Sequence, residues 1–321
     1  MNGIIIIDKP AGWTSFDVVA KLRGAIKRKH DVKKNHRVGH GGTLDPMATG
    51  VLPVFTGRAT RAAEFCENAQ KEYIAGLRPG IVTDTQDITG SVLSENNVAV
   101  TYEDVKAILP HFLGAGKQIP PMYSAIKKDG KKLYELARQG IDVTRQPRDI
   151  FISSIELLSK TGTDPAFPFD FTLRVVCSKG TYIRTLCHDI GSMLGCGAAL
   201  SALRRTRAGV FTVDMAHALD DVLDAVMTGS LSSGGGDGLY ENAENDNITH
   251  GFLLPIDSIF SGFPSIKLND SDTRKAKNGA LRHITVKENG KYRFYAPDGE
   301  FLLFGEVHEG KVKTIKSFFE V

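Results

Sequence analysis

The chain has 321 residues, 41% hydrophobic and 24% charged, so it can bury a large core without disulfide or metal staples and its length suits about two domains. A net charge of +3 is too small to diagnose a polyanion partner, and no apolar run reaches the roughly 18 residues that a membrane helix needs. Met1–Asp8 lacks the basic region and cleavage motif of a signal peptide, and Cys66, Cys177, Cys187 and Cys196 form no C-x-x-C pair; a reduced, cytoplasmic protein without a zinc site is expected.

Gly3–Asp8 is a run of isoleucines that reads as a buried strand, ended by Lys9-Pro10. Thr14 and Ser15 are both good N-caps for a helix with Val18, Val19, Leu22 and Ile26 at helical spacing. Val38–Gly57, rich in Gly, Thr and Pro, reads as a loop leading into a strand. Lys71–Leu77 reads as a strand, followed by turns through Gly90. Helices are expected at Tyr102–Leu109, at Lys131–Gln139 before Gly140, and at Thr181–Leu194 before Gly195. Asp149–Leu158 and Phe169–Cys177 alternate like strands. Thr228–Asn247 is a polar, Gly- and Ser-rich break read as a flexible surface insertion. From Phe263 onward, Asn289-Gly290, Asp298-Gly299 and Glu309-Gly310 are hairpin signals of a small β-rich domain. Strands and helices mix without a regular βαβ rhythm, so the fold class is α+β. Domain boundaries are placed at 1–262 and 263–321.

Charge is unevenly spread. Lys21–Arg37 holds eight Lys or Arg against Asp31, and Arg174–Arg207 holds six against Asp189. Asp214–Asp246 holds eight acids and no Lys or Arg. That pattern suits a polyanion-binding face beside a solvated acidic surface.

Four stretches are dense enough in special residues to carry chemistry. Gly39-His40-Gly41-Gly42-Thr43-Leu44-Asp45-Pro46 puts a carboxylate on a permissive backbone and, through Pro46, out of the helical region. Asp45 there is a turn cap or a reactive group. Ser178–Thr185 opens a helix, with Lys179 and Arg184 placed to meet a phosphate or hold a carboxylate ionised, or else to be solvated. Tyr73 is a core residue or a base-stacking platform, and Asp87 sits among Thr83–Asp87 turns. Pro120–Gly130 is a rigid connector or an RNA contact. No G-x-x-x-x-G-K-[ST], G-x-G-x-x-G or H-E-x-x-H is present.

Taken in order, Asp8-Lys9-Pro10…Thr14-Ser15, Gly39–Gly57, Tyr73…Thr83–Gly90, Pro120–Gly140, Ser178–Arg184 and Leu203-Arg204-Arg205-Thr206-Arg207 resemble the bacterial tRNA pseudouridine(55) synthase family. The resemblance implies the pseudouridine synthase fold, with a mixed, largely antiparallel sheet and a PUA-like C-terminal domain. It implies isomerisation of uridine 55 in the T-loop of tRNA, with base flipping, no cofactor, no metal and no obligatory protein partner; nothing in the sequence demands an oligomer, so a monomer is expected. Asp45 matches the nucleophile, Tyr73 the residue stacked on the flipped base, and Arg184 the arginine paired with the nucleophile. His40 matches an RNA-loop contact, and Tyr182 and Leu203 match the lining of the uridine pocket; Asp87 is a weaker match, organising Tyr73 or Arg184. Lys275, Lys277, Arg282 and Lys287 are either phosphate contacts or ordinary surface cations. An RNA-guided relative and an RNA-folding chaperone are the competing readings. The family usually has Thr where Gly41 stands, which puts the detailed RNA contact there in doubt.

Overall fold

The computed structural model describes residues 1–29, 36–161, 170–231, 251–286 and 288–319. In chain order the elements begin with β1 (Gly3–Lys9), α1 (Ser15–Lys29), β2 (Val38–His40), β3 (Thr49–Thr56), α2 (Ala63–Asn68) and β4 (Lys71–Pro79). There follow β5 (Ile81–Thr83), β6 (Val92–Glu95), α3 (Tyr102–Ile108), β7 (Gly114–Gln118), β8 (Lys127–Lys128), β9 (Lys131–Lys132) and α4 (Leu133–Ala137). Next are β10 (Arg148–Thr161), β11 (Asp170–Cys177), α5 (Ile183–Met193), β12 (Ala198–Ala208), β13 (Phe211–Thr212), β14 (His217–Ala218) and α6 (Leu219–Thr228). The chain closes with β15 (Ser265–Lys267), α7 (Asp270–Lys277), β16 (Gly290–Tyr295), β17 (Phe301–His308) and β18 (Lys311–Ser317).

Two compact units result, one from Met1–Pro46, Gly50–Glu67 and Gly209–Val321, the other from Met47–Thr49 and Asn68–Ala208. In the first, β1 lies antiparallel to β3 and parallel to β14, and β2 is antiparallel to β3. The isoleucines of β1 are all buried, as a continuous apolar run demands of a strand covered on both faces. α1 packs Val18, Val19, Leu22, Ala25 and Ile26 inward and meets α6.

The same unit contains a separate sheet, β15–β16–β17–β18, with its own apolar core of Phe294, Leu302, Leu303, Val307 and Val312 among others. β15 runs parallel to β16; the remaining pairs are antiparallel. Asp298-Gly299 and Glu309-Gly310 make the expected hairpins, with positive φ at Gly299, Glu309 and Gly310. Asn289-Gly290 does not. Gly290 starts β16, and Asn289 caps a neighbouring turn by accepting the Glu309 N–H at 2.7 Å.

The second unit is an antiparallel sheet in the order β12–β4–β11–β10–β7. Lys71, Tyr73, Ala75 and Leu77 of β4 and Phe171, Leu173, Val175 and Cys177 of β11 form its buried face. α5 packs against β12 and β4. Gly191 permits that approach: a Cβ there would lie 2.1 Å from the Ala198 nitrogen.

The α+β class holds: mixed sheets, helices and a separate C-terminal β-sheet. Three local expectations change. Lys131 and Lys132 are not helical but pair with Lys128 and Lys127, because Asp129 (φ 51°) and Gly130 (φ 82°) form a hairpin turn; the helix is the shorter Leu133–Ala137. The turns after β4 contain the β5–β6 hairpin. β12, an eleven-residue strand, had no sequence signal, since it is rich in Ala and poor in β-branched and aromatic residues. Most of the 228–247 insertion lies outside the described residues, as do residues 162–169.

Candidate active site

Asp45 stands half-buried in the loop between β2 and β3. Leu44 and Ala48 anchor that loop in the core. Polar groups fasten it on both sides of Asp45. The Ser15 hydroxyl accepts the Leu44 N–H at 2.8 Å and lies 3.1 Å from the Leu44 carbonyl, to which it donates. Pro46 offers its carbonyl to the Gly12 N–H at 2.8 Å and to Lys9 Nζ at 3.2 Å.

Lys9 is 0% exposed, and its ammonium also donates to the Pro10 and Trp13 carbonyls at 2.7 and 2.6 Å. A buried ammonium needs such a shell of acceptors. Lys9 and Ser15 therefore work as loop anchors. Of the two possible caps, Thr14 caps α1, because Asp17 takes its N–H and hydroxyl and returns an N–H to Thr14 Oγ1.

His40 ends β2, half-buried, and its Nδ1 accepts the Gly42 N–H at 3.3 Å. That contact assigns the neutral ring proton to Nε2. Beneath it, a Cβ on Gly41 would meet Cys66 Cβ and Phe55 Cε2, each at 2.8 Å. Cys66 and Phe55 thus fill the space that a side chain at position 41 would take.

Tyr73, Leu203, Arg184 and Tyr182 belong to the second unit. Tyr73 lies on the buried face of β4, opposite Val175 and Arg205; Leu203 is opposite Ala75 on β12, one side-chain pair along the same face. Arg184, in the first turn of α5, is 4% exposed. Its Nη1 donates to the Thr85 carbonyl at 3.0 Å and its Nη2 to the Tyr123 carbonyl at 2.9 Å, and Nη1 lies 3.8 Å from the Asp87 carboxylate.

Asp87 in turn accepts the Thr85 hydroxyl and the Thr89 N–H, each at 2.9 Å, and the Thr89 hydroxyl. Of the two roles expected for Asp87, these contacts place it with Arg184. Gln86, held at φ 63°, accepts the Thr185 hydroxyl at 2.7 Å and ties the loop to α5. Tyr182 precedes α5, and its backbone is gripped both ways by buried Gln118, whose Oε1 accepts its N–H at 2.8 Å and whose Nε2 donates to its carbonyl at 3.0 Å. Gln118 had no signal in the sequence. Burial and Asp84 raise the Tyr123 phenol above its ordinary value. Asp45 and His40 lie in the first unit.

Chemistry elsewhere is quiet. All four cysteines are buried free thiols, and burial pushes Cys177 up to about 11. Among the described residues no group of three His, Cys, Asp or Glu could hold a metal, and no helix is long and apolar enough to cross a membrane. Lys275 and Lys277 are ion-paired with Asp272 and Glu300, Arg282 is exposed, and Lys287 is outside the described residues.

Residues 27–183 match the N-terminal domain model of the TruB family of pseudouridylate synthases, and residues 184–261 match the tRNA pseudouridylate synthase B C-terminal domain. The tRNA pseudouridine synthase B of Syntrophomonas wolfei is 40% identical over 316 residues, covering 98% of this chain and 96% of that protein. The chain belongs to the TruB family of pseudouridylate synthases.

A second TruB relative, the tRNA pseudouridine synthase B of Ralstonia nicotianae, is 41% identical and covers 94% of this chain and 87% of its own. Among solved structures, a Cbf5-Nop10-Gar1 complex contains a similar chain, with a TM-score of 0.68 and 26% identity, covering 99% of this chain and 85% of that one. An H/ACA RNP bound to a substrate RNA containing 2'-deoxyuridine shares the fold, with a TM-score of 0.65 and 23% identity.

Proposed function

We propose that this TruB-family enzyme isomerises uridine 55 to pseudouridine in the T-loop of tRNA, in the cytoplasm, as a monomer and without cofactor or protein partner. The observation that carries the reading is full-length similarity, near 40% identity, to relatives named tRNA pseudouridine synthase B. The fastening of the Asp45 loop supports the chemistry. A carboxylate held on both flanks by Ser15 and Lys9 loses little further freedom when it meets substrate.

The reaction breaks the C1′–N1 bond, turns the uracil, joins C5 to C1′ and releases the C5 proton. Asp45 is the nucleophile, attacking sugar or base or assisting proton loss at C2′. Arg184 matches the arginine that pairs with the nucleophile in the family. Flipping the base out of the loop costs a few kcal/mol; stacking on Tyr73 offsets about 1–3 kcal/mol of that. Tyr182 and Leu203 line the uridine pocket, and His40 contacts the RNA loop beside the vacated position. Residues 1–262 form the catalytic part and 263–321 a PUA-like RNA-binding domain, a division supported by the separate core of β15–β18.

The test is tritium release from an unmodified tRNA transcript labelled at uridine C5. Wild-type protein alone is expected to release about one equivalent per tRNA, and Asp45→Asn none while still binding and folding tRNA. Tight binding without release by the wild type would point to a guided enzyme or an RNA chaperone. Loss of binding in Asp45→Asn would show that the carboxylate is not separable from recognition.

A further inference from the structure

The outward side of α1 is not used by any residue assigned above. Its exposed positions, Phe16, Ala20 and Lys27 with Asp17, Lys21 and Arg28, recur at helical spacing opposite the buried stripe of Val18, Leu22, Ala25 and Ile26. Phe16 is 65% exposed, ahead of Phe151 at 46% and Phe263 at 38%. A large aromatic on the first turn of a helix, 65% exposed, contributes little to the core.

Its place is specific. Phe16 directly follows Ser15, whose hydroxyl bonds the backbone of Leu44, the neighbour of Asp45. The ring therefore stands at the root of the Asp45 loop. Beyond it along the helix, Lys21, Lys27, Arg28 and Lys29 are exposed, and none has an ion-pair partner among the described residues. The one acid on the stripe, Asp17, is engaged by the Thr14 N–H and hydroxyl at the helix start. From Phe16 to Arg28 the stripe runs about 18 Å, long enough to follow several nucleotides.

We propose that this stripe is a further RNA-contacting surface of the enzyme. Phe16 stacks on an unpaired nucleobase flanking the target nucleotide, and Lys21, Lys27 and Arg28 follow the phosphates of the same strand away from the Asp45 loop. Aromatic stacking beside a row of cations is how proteins hold single-stranded nucleic acid without reading its sequence. The inference rests on the substrate being an RNA loop, as proposed above.

The test measures binding of an unmodified tRNA transcript, by the full chain, across a salt series, with tritium release read in parallel. Phe16→Ala is expected to raise Kd about 5- to 100-fold and Phe16→Trp to restore binding, with no change in thermal midpoint. Lys21→Gln/Lys27→Gln/Arg28→Gln is expected to lower the slope of log K against log salt by about 2–3. Were Phe16→Ala to misfold, the triple variant would decide alone. Variants that bind like the wild type, while the wild type isomerises uridine, would overturn the surface and leave the function standing. A wild type that binds tRNA without isomerising it, with binding weakened in the variants, would overturn the function and leave the surface standing. A change in sedimentation in place of RNA affinity would mark the stripe as a protein contact and overturn the proposal.

Discussion

Gly41 shows how one residue can look like a loss and be a fit. The family's usual Thr is absent, yet the volume is not empty, since Cys66 and Phe55 stand within 2.8 Å of where a Cβ would be. Adding a methyl group must move a core thiol, a phenyl ring or the loop backbone itself. Gly41→Ala is therefore expected to destabilise by about 1–3 kcal/mol, read from the urea midpoint. Cys66→Gly in the same chain should recover part of the loss, and a double-mutant cycle would measure the coupling. Additive effects would show that the two sites do not share that space. Lys9 teaches a similar lesson: in the sequence it ends a strand, but in the fold it is a buried ammonium holding the Asp45 loop through Pro46.

At the scale of elements, the start of α1 depends on one ionised carboxylate. The Thr14 hydroxyl, and after it the Thr14 backbone N–H, hold Asp17 below the usual carboxylate range. A depressed folded value stabilises at pH above the unfolded value, near 3.8, and that contribution fades as pH falls through the folded one. Asp17→Ala should thus be less stable than wild type at neutral pH, with the gap closing below about pH 3.8. Urea unfolding at a series of pH values checks this; a gap independent of pH would mean that Asp17 acts through helix propensity and not through its charge. The β4–β11 edge carries a comparable local solution. Arg78 makes a two-pronged pair with Asp170 at 2.8 and 2.9 Å.

At the scale of the molecule, the C-terminal sheet is joined to the rest of the first unit by an aromatic cluster. Phe260, which precedes the sheet, is stacked on Phe304 at 4.2 Å and edge-on to Phe65 of α2 at 5.0 Å. Lys316 reaches Glu64, and Arg61 donates to the Ser317 carbonyl at 3.2 Å. Tyr295 donates to Asp257, with Arg293 bonded to the Tyr295 oxygen at 3.2 Å. A C-terminal sheet anchored this way presents its surface at a set place, unlike a tethered one. Phe260→Ala should cost about 3–5 kcal/mol and open the Ser261–Pro264 segment to protease under native conditions. Unchanged proteolysis would show that the ion pairs and Tyr295 suffice.

The sequence by itself determined the class of fold, the isoleucine strand, the amphipathic α1 and two of the three C-terminal hairpins, because each rests on local periodicity or on residues that tolerate positive φ. It also carried the motifs around Asp45, Tyr73 and Arg184, since the residue types are distinctive. Only the tertiary structure decided what was non-local. Arg205, charged and 1% exposed, lies in β12, a strand that had no sequence signal. Gln118 grips Tyr182 from 64 positions away, and Arg184 takes its acceptors from Thr85 and Tyr123. Such partners are chosen by which strands pair and which helix covers them, and burial then makes most polar groups find an acceptor or donor. No local pattern encodes that choice.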